Sequence, residues 1–278
     1  MADGPARDVR LSAGLARDLR DHLETCEAAL AGGSGARWCR DLRGSLETLL
    51  LQQEGVILSL DVPLAAPPGF RQLLADVFGE GFFASYRDIT DCRGRTVPDF
   101  PPEARCIHGH FAPAALRARF PAARLITWVS DPVRRVAAHY RYWQREPDEQ
   151  NPLCAAMSRE RWSLLEFARQ DGAREELARC FGGLPPSEFA FIGLREEFPS
   201  SIDLLMRRLR VTAVPVFQAY RKAATDLPAE PLSAAEAGTI AGLNPRSCRL
   251  YGDCRAWFDR ACAEAGIEGR AGWRSART

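Results

Sequence analysis

The chain has 278 residues, 46% of them hydrophobic and 26% charged, with a formal net charge of +1. That apolar fraction suits a packed core of one large or two small domains and excludes disordered and collagen-like classes. Near-neutrality excludes a bulk field that would draw the chain to nucleic acid or a membrane surface.

No apolar run approaches the ~20 residues of a membrane helix. Residues 1–10 are charged and have no apolar run behind them to act as a signal peptide, so the expectation is a cytoplasmic protein. Among the 37 basic residues the single lysine is Lys222, so chemistry that needs a lysine in the first 221 positions is excluded. The nine cysteines, at positions 26, 39, 92, 106, 154, 180, 248, 254 and 262, include no C-x-x-C pair. Metal and redox motifs need closely spaced ligands, and these are scattered, so they read as mostly buried reduced thiols.

Residues 11–53 pattern as two amphipathic helices around Gly32-Gly33-Ser34-Gly35. The first carries Arg17-Asp18-Leu19-Arg20 and then Leu23-Glu24-Thr25. The second repeats this 23 positions later as Arg40-Asp41-Leu42-Arg43 and Leu46-Glu47-Thr48. The short turn predicts an antiparallel hairpin over 1–53, in front of an α/β domain over 54–278. Such a pair either packs on the main domain or serves as a homodimer or partner surface.

Val56–Leu60 is a short apolar run of strand type, followed by a turn, Pro63–Gly69, and a helix over Phe70–Phe78. Residues 80–104 read as loop-rich, with Pro98, Pro101 and Pro102. Cys106–Phe111 reads as a strand end, and Leu125–Val129 as a strand leading into a helix from Val133 to Arg145. Phe189–Gly193 predicts a strand before a helix over Ser200–Leu209. Ser233–Leu243 and Ser247–Ala265 predict helices. Strands alternating with helices imply βαβ units and a parallel sheet. Ligands of such sheets bind beyond the carboxyl ends of the strands, which directs attention to Pro63–Gly69, His108–His110 and Ser130–Pro132.

Four stretches, taken in order, resemble the sulfotransferases, most closely the branch with the heparan sulfate 2-O- and 6-O-sulfotransferases and bacterial relatives. Ala123–Trp143 is similar to the family's strand, Arg-Asp-Pro turn and Tyr-rich helix. Ile107-His108-Gly109-His110-Phe111 is similar to its His-x-His, and Phe191–Phe198 to its Phe-Val-Gly-Leu-x-Glu-x-Phe. Leu243-Asn244 with Leu250-Tyr251 is similar to its C-terminal motif. The resemblance implies a P-loop-like three-layer sandwich that binds PAPS (3′-phosphoadenosine 5′-phosphosulfate). It also implies transfer of a sulfuryl group to an acceptor hydroxyl on a glycan or small molecule, without a metal.

On that resemblance His110 is the candidate base and His108 its helper. Residues two apart in an extended segment share a face, although such a pair also suits two imidazoles that merely hydrogen-bond at a strand end. The donor side departs from the pattern. Leu64 stands where the family has its phosphate-binding lysine, and Ala65, Pro68 and Gly69 where it has hydroxyls. Ser130 replaces the Arg of Arg-Asp-Pro, and Ala138 the helix serine. A single charge-assisted hydrogen bond contributes roughly 1.5–3 kcal/mol, so substitutions at both phosphate positions weaken donor binding steeply. Candidates to replace them are Arg71, Arg134, Arg135, Arg221, Lys222 and Ser130 itself. Two functions follow: a sulfotransferase with a rebuilt phosphate site, or a catalytically inactive relative that binds a glycan or protein. A kinase-type phosphate loop is a poor third reading, because no Gly-x-x-x-x-Gly-Lys is present. The acceptor cleft is expected from variable loops such as 80–104 and 144–160.

Overall fold

The computed structural model describes residues 13–30, 33–85, 103–222 and 231–267. Five strands form one parallel sheet: β1 (Ile57–Leu60), β2 (Phe82–Ser85), β3 (Cys106–Gly109), β4 (Arg124–Val129) and β5 (Phe191–Leu194), in the order β2-β3-β1-β4-β5. The described residues of β1, β3 and β5 are buried throughout, as expected for strands covered on both faces.

The helices are α1 (Ala13–Ala29), α2 (Ser34–Gln53), α3 (Phe70–Phe78), α4 (Pro113–Arg119), α5 (Pro132–Arg145) and α6 (Pro152–Glu160). They continue with α7 (Leu164–Ala168), α8 (Glu176–Phe181), α9 (Phe198–Leu209), α10 (Pro215–Lys222), α11 (Ala234–Leu243) and α12 (Pro245–Glu264). The crossover from β1 through α3 runs toward one edge of the sheet, and those through α4 and through α5–α8 run toward the other. Right-handed crossovers in opposite directions place their helices on opposite faces, which makes the three layers. β1 lies where the direction reverses, so the crevice beyond Leu60 is the place such sheets offer a ligand.

On the α3 face Trp128 is 1% exposed. It meets Phe70 and Phe191 edge-on and stacks on Phe198, with ring centroids 5.5–5.7 Å apart. A second, smaller core gathers Val136, Trp143, Met157, Phe167 and Ile240 under α5–α7 and α11.

The hairpin forms as the repeat predicts, and it is fastened to the main domain. Leu51 enters the central core. Glu47, 2% exposed, accepts the Ala213 amide at 2.7 Å and the Thr212 hydroxyl at 3.2 Å. Between the helices, Arg40 and Arg43 pair with Glu27.

Two expectations need correction. The 80–104 segment is not all loop, since Phe82–Ser85 is the edge strand β2; residues 86–102 lie outside the described residues. Likewise 144–160 is largely helical, because Asn151 caps α6 by accepting the Leu153 and Cys154 amides. The described cysteines are all free thiols, and Cys92 lies outside the described residues.

Candidate functional site

Three of the four stretches that carry the resemblance converge at the carboxyl ends of β4 and β5. Asp131 follows β4 and caps α5, its carboxylate accepting the Val133 and Arg134 amides at 2.9 and 3.0 Å. The Asp131 amide donates to Glu196 at 2.7 Å, and the Tyr251 hydroxyl donates to the other Glu196 oxygen at 3.1 Å. Asn244 is fully buried and structural: it accepts the Glu175 amide and donates to the Ile240 carbonyl, each at 2.8 Å.

The two histidines have different settings. His108, 3% exposed, lies in β3 beside the edge of Phe70 and stacked on Phe82, with Nδ1 2.9 Å from the Ser59 hydroxyl. Burial holds its pKa below the ordinary value, outweighing the attraction of Asp61. His110 is half-buried just past the strand, and its Nε2 lies 3.3 Å from Asp61 Oδ2. A carboxylate only accepts, so this nitrogen is the donor.

Asp61 is the residue that sequence reasoning missed. It directly follows β1, and its amide donates to the Gly109 carbonyl at 2.9 Å, which seats it between the strand ends. Burial works against its anion, yet the His110 hydrogen bond and the charges of His108, His110 and Arg71 hold its pKa below the usual carboxylate value. The separation of 49 residues between Asp61 and His110 carries no motif; the signal available was that β1 and β3 both end there.

The Pro63–Gly69 turn is built around a cation. Arg195, at the end of β5, donates to the Leu64 carbonyl and to the Ala66 carbonyl at 3.4 Å, and the Tyr220 hydroxyl donates to the Pro67 carbonyl at 3.3 Å. Leu64 takes the left-handed conformation, φ 60°, at a cost of roughly 1 kcal/mol. A trans peptide points its N–H away from its C=O. The amide behind the Leu64 carbonyl, Ala65 N–H, accordingly donates to Val62 at 2.9 Å, and the residue behind the Ala66 carbonyl is Pro67, which has no N–H.

The candidate donor-binding residues are scattered. Arg71 is exposed at the start of α3, and its charge is felt by Asp61 and His108. Ser130 is 4% exposed at the end of β4, and its hydroxyl has no hydrogen-bond partner among the described residues. Arg134 is exposed on α5, Arg221 pairs with Asp203 at 2.6 Å, and Lys222 is exposed at the end of α10. Arg135 is turned away from the strand ends. It is buried against α8, ion-paired with Glu176, with a second contact to the Ala173 carbonyl at 3.5 Å. No group of three or more metal-ligating side chains occurs among the described residues, and no described helix is long and apolar enough to cross a membrane.

His139 shares the Arg135–Glu176 cluster, its Nδ1 3.8 Å from the carboxylate. Burial first, and Arg135 as well, push its pKa down to about 4 against the pull of Glu176. A histidine depressed in the folded state contributes stability fully present above pH 6.5 and lost as the pH falls toward 4. The urea midpoint is therefore lower at pH 5 than at pH 7, and His139→Gln has a smaller drop between the two; an equal drop would refute the assignment.

No protein-family model, curated protein or solved structure matches this chain.

Proposed function

We propose that this chain is a catalytically inactive, sulfotransferase-like module that binds a hydroxyl-rich ligand, a glycan by class, at the His110–Asp61 pair. The observation that carries this reading is Arg195, whose guanidinium occupies the turn after β1. A phosphate cradle aims successive N–H groups at a common anion. Here the carbonyls of Leu64 and Ala66 converge instead, and the charge they meet is the protein's own. At the second phosphate position the first α5 amides already have an acceptor in Asp131, with the Glu196 carboxylate beside it. A phosphate arriving there meets two carboxylates in place of one arginine.

The convergence of Asp131, Glu196 and Tyr251 at one corner supports the family resemblance, because the similar stretches that supply them are far apart in sequence. The half-buried His110, oriented by Asp61, supports a ligand rich in hydroxyls, which both donate to and accept from such side chains.

Titration calorimetry with PAPS and its desulfated product is the direct test. No binding is expected at millimolar nucleotide, whereas saturable binding in the micromolar range overturns the inactive reading. Hydroxyl-rich oligosaccharides are expected to shift the His110 ring resonances in NMR spectra, and His110→Ala to abolish binding without unfolding the chain.

One observation favours the second reading, an active sulfotransferase. A histidine held by an ionised carboxylate is an arrangement suited to taking a proton from an attacking hydroxyl. In that case PAPS binds, sulfuryl transfer to a polyol is measurable, and His110→Ala lowers turnover with little change in nucleotide affinity.

A further inference from the structure

Seven large hydrophobic residues are exposed among the described residues, and six of them belong to the hairpin: Leu15, Leu19, Leu30, Trp38, Leu42 and Leu49. Trp38 is 65% exposed. Leu15 and Leu19 are one turn apart on α1, as are Trp38 and Leu42 on α2, with Leu49 three turns beyond Trp38, so each helix carries a stripe and not scattered residues. The two stripes join at the turn. The Leu30 side chain lies over Gly35, where an added Cβ would come within 3.1 Å of it, and Gly35 is seven residues before Leu42 on the same side of α2. The opposite side of the hairpin is fastened to the main domain through Glu47 and Leu51. This face is therefore the one left uncovered.

We propose that a second copy of this chain covers it, the two hairpins forming a four-helix bundle about a two-fold axis. The sequence repeat favours a copy over an unrelated partner. A shift of 23 positions carries Leu15 onto Trp38 and Leu19 onto Leu42, exposed apolar residues onto exposed apolar residues. Two antiparallel helices with equivalent apolar positions present a face that a half-turn maps nearly onto itself. That is the self-complementary patch an isologous dimer requires, with α1 of each copy against α2 of the other.

The area also fits. Six large side chains exposed to this degree amount to roughly 500 Å² per copy, at the upper end of what a monomer leaves open. Doubled, with a polar border, this reaches the roughly 1,200 Å² at which specific interfaces begin. The exposed charges on the two helices include Arg17, Asp18, Asp21, Glu24, Arg37 and Arg40 and are of both signs, so a second copy meets no single-sign field. This inference is independent of what binds at the strand ends.

Light scattering and sedimentation of the full chain test it. The wild-type protein is expected at twice its 30.8 kDa chain mass at about 100 micromolar. Trp38→Glu/Leu42→Glu on α2, and separately Leu15→Glu/Leu19→Glu on α1, are each expected to weaken the dimer by roughly 30-fold or more, the loss expected of a central apolar anchor. These side chains are exposed in the single chain, so circular dichroism of the variants stays that of the wild type. Tyr142→Glu, which alters the one exposed large hydrophobic residue off the hairpin among the described residues, leaves the mass at the dimer value. A wild-type monomer at about 100 micromolar overturns the proposal and leaves the face to a different chain. A dimer that survives both hairpin variants overturns it too.

Discussion

Replacing Arg135 with methionine is expected to lower the folding free energy by about 3–5 kcal/mol, because it strands a buried carboxylate. Arg135 is 2% exposed and its guanidinium meets Glu176 and the Ala173 carbonyl between α5 and α8. Removing the cation leaves Glu176 in a site that is 14% exposed at its side chain, with His139, its pKa depressed, 3.8 Å away. In thermal unfolding this destabilisation corresponds to a shift of about 10 °C. The double variant Arg135→Met/Glu176→Met is expected to recover more than half of it, since an apolar pair carries no unpaired charge. A variant as stable as the wild type would mean that Arg135 is free to serve a ligand instead.

Gly193→Ala is expected to cost about 2–3 kcal/mol, although the residue added is a single methyl. Gly193 pairs with Trp128 across β4 and β5. A Cβ at this position would lie 2.5 Å from one Trp128 ring carbon, 2.7 Å from the Phe191 ring and 2.8 Å from a second Trp128 carbon. Trp128 cannot move aside, because Phe70, Phe191 and Phe198 hold it on the other sides. Chemical denaturation should show the double variant Gly193→Ala/Trp128→Phe to be more stable than the sum of the single effects, as the smaller ring makes room. Strict additivity would show that the clash is relieved elsewhere.

Much of the fold was legible because fully buried strands write themselves as apolar runs. Ile57–Leu60 and Leu125–Val129 stand out for that reason, and the helix expected over Phe70–Phe78 coincides with α3 at both ends. β2 escaped because Phe82–Ser85 offers four residues between a tight turn and a Pro-rich stretch, too short for a periodicity to develop. α10 escaped likewise, with a single fully buried residue, Phe217.

The candidate site was legible in its residue types and opaque in their directions. Arg135 is a candidate phosphate ligand in the sequence, yet it shares the buried face of α5 with His139 and Trp143 at i, i+4 and i+8. That periodicity was present in the sequence and pointed inward. Arg195 and Asp61 gave no such signal. Their partners lie 131 and 49 residues away, at strand ends that only the sheet order brings together.

α10 gives this protein a handle. Its last residue, Lys222, is exposed and is the sole lysine of the chain, so an amine-reactive dye adds at one side chain in addition to the α-amino group. Two residues earlier on that helix, the Tyr220 hydroxyl grips the turn at Pro67. A fluorophore at Lys222 would therefore report, without any mutation, whenever an incoming molecule pries that turn open.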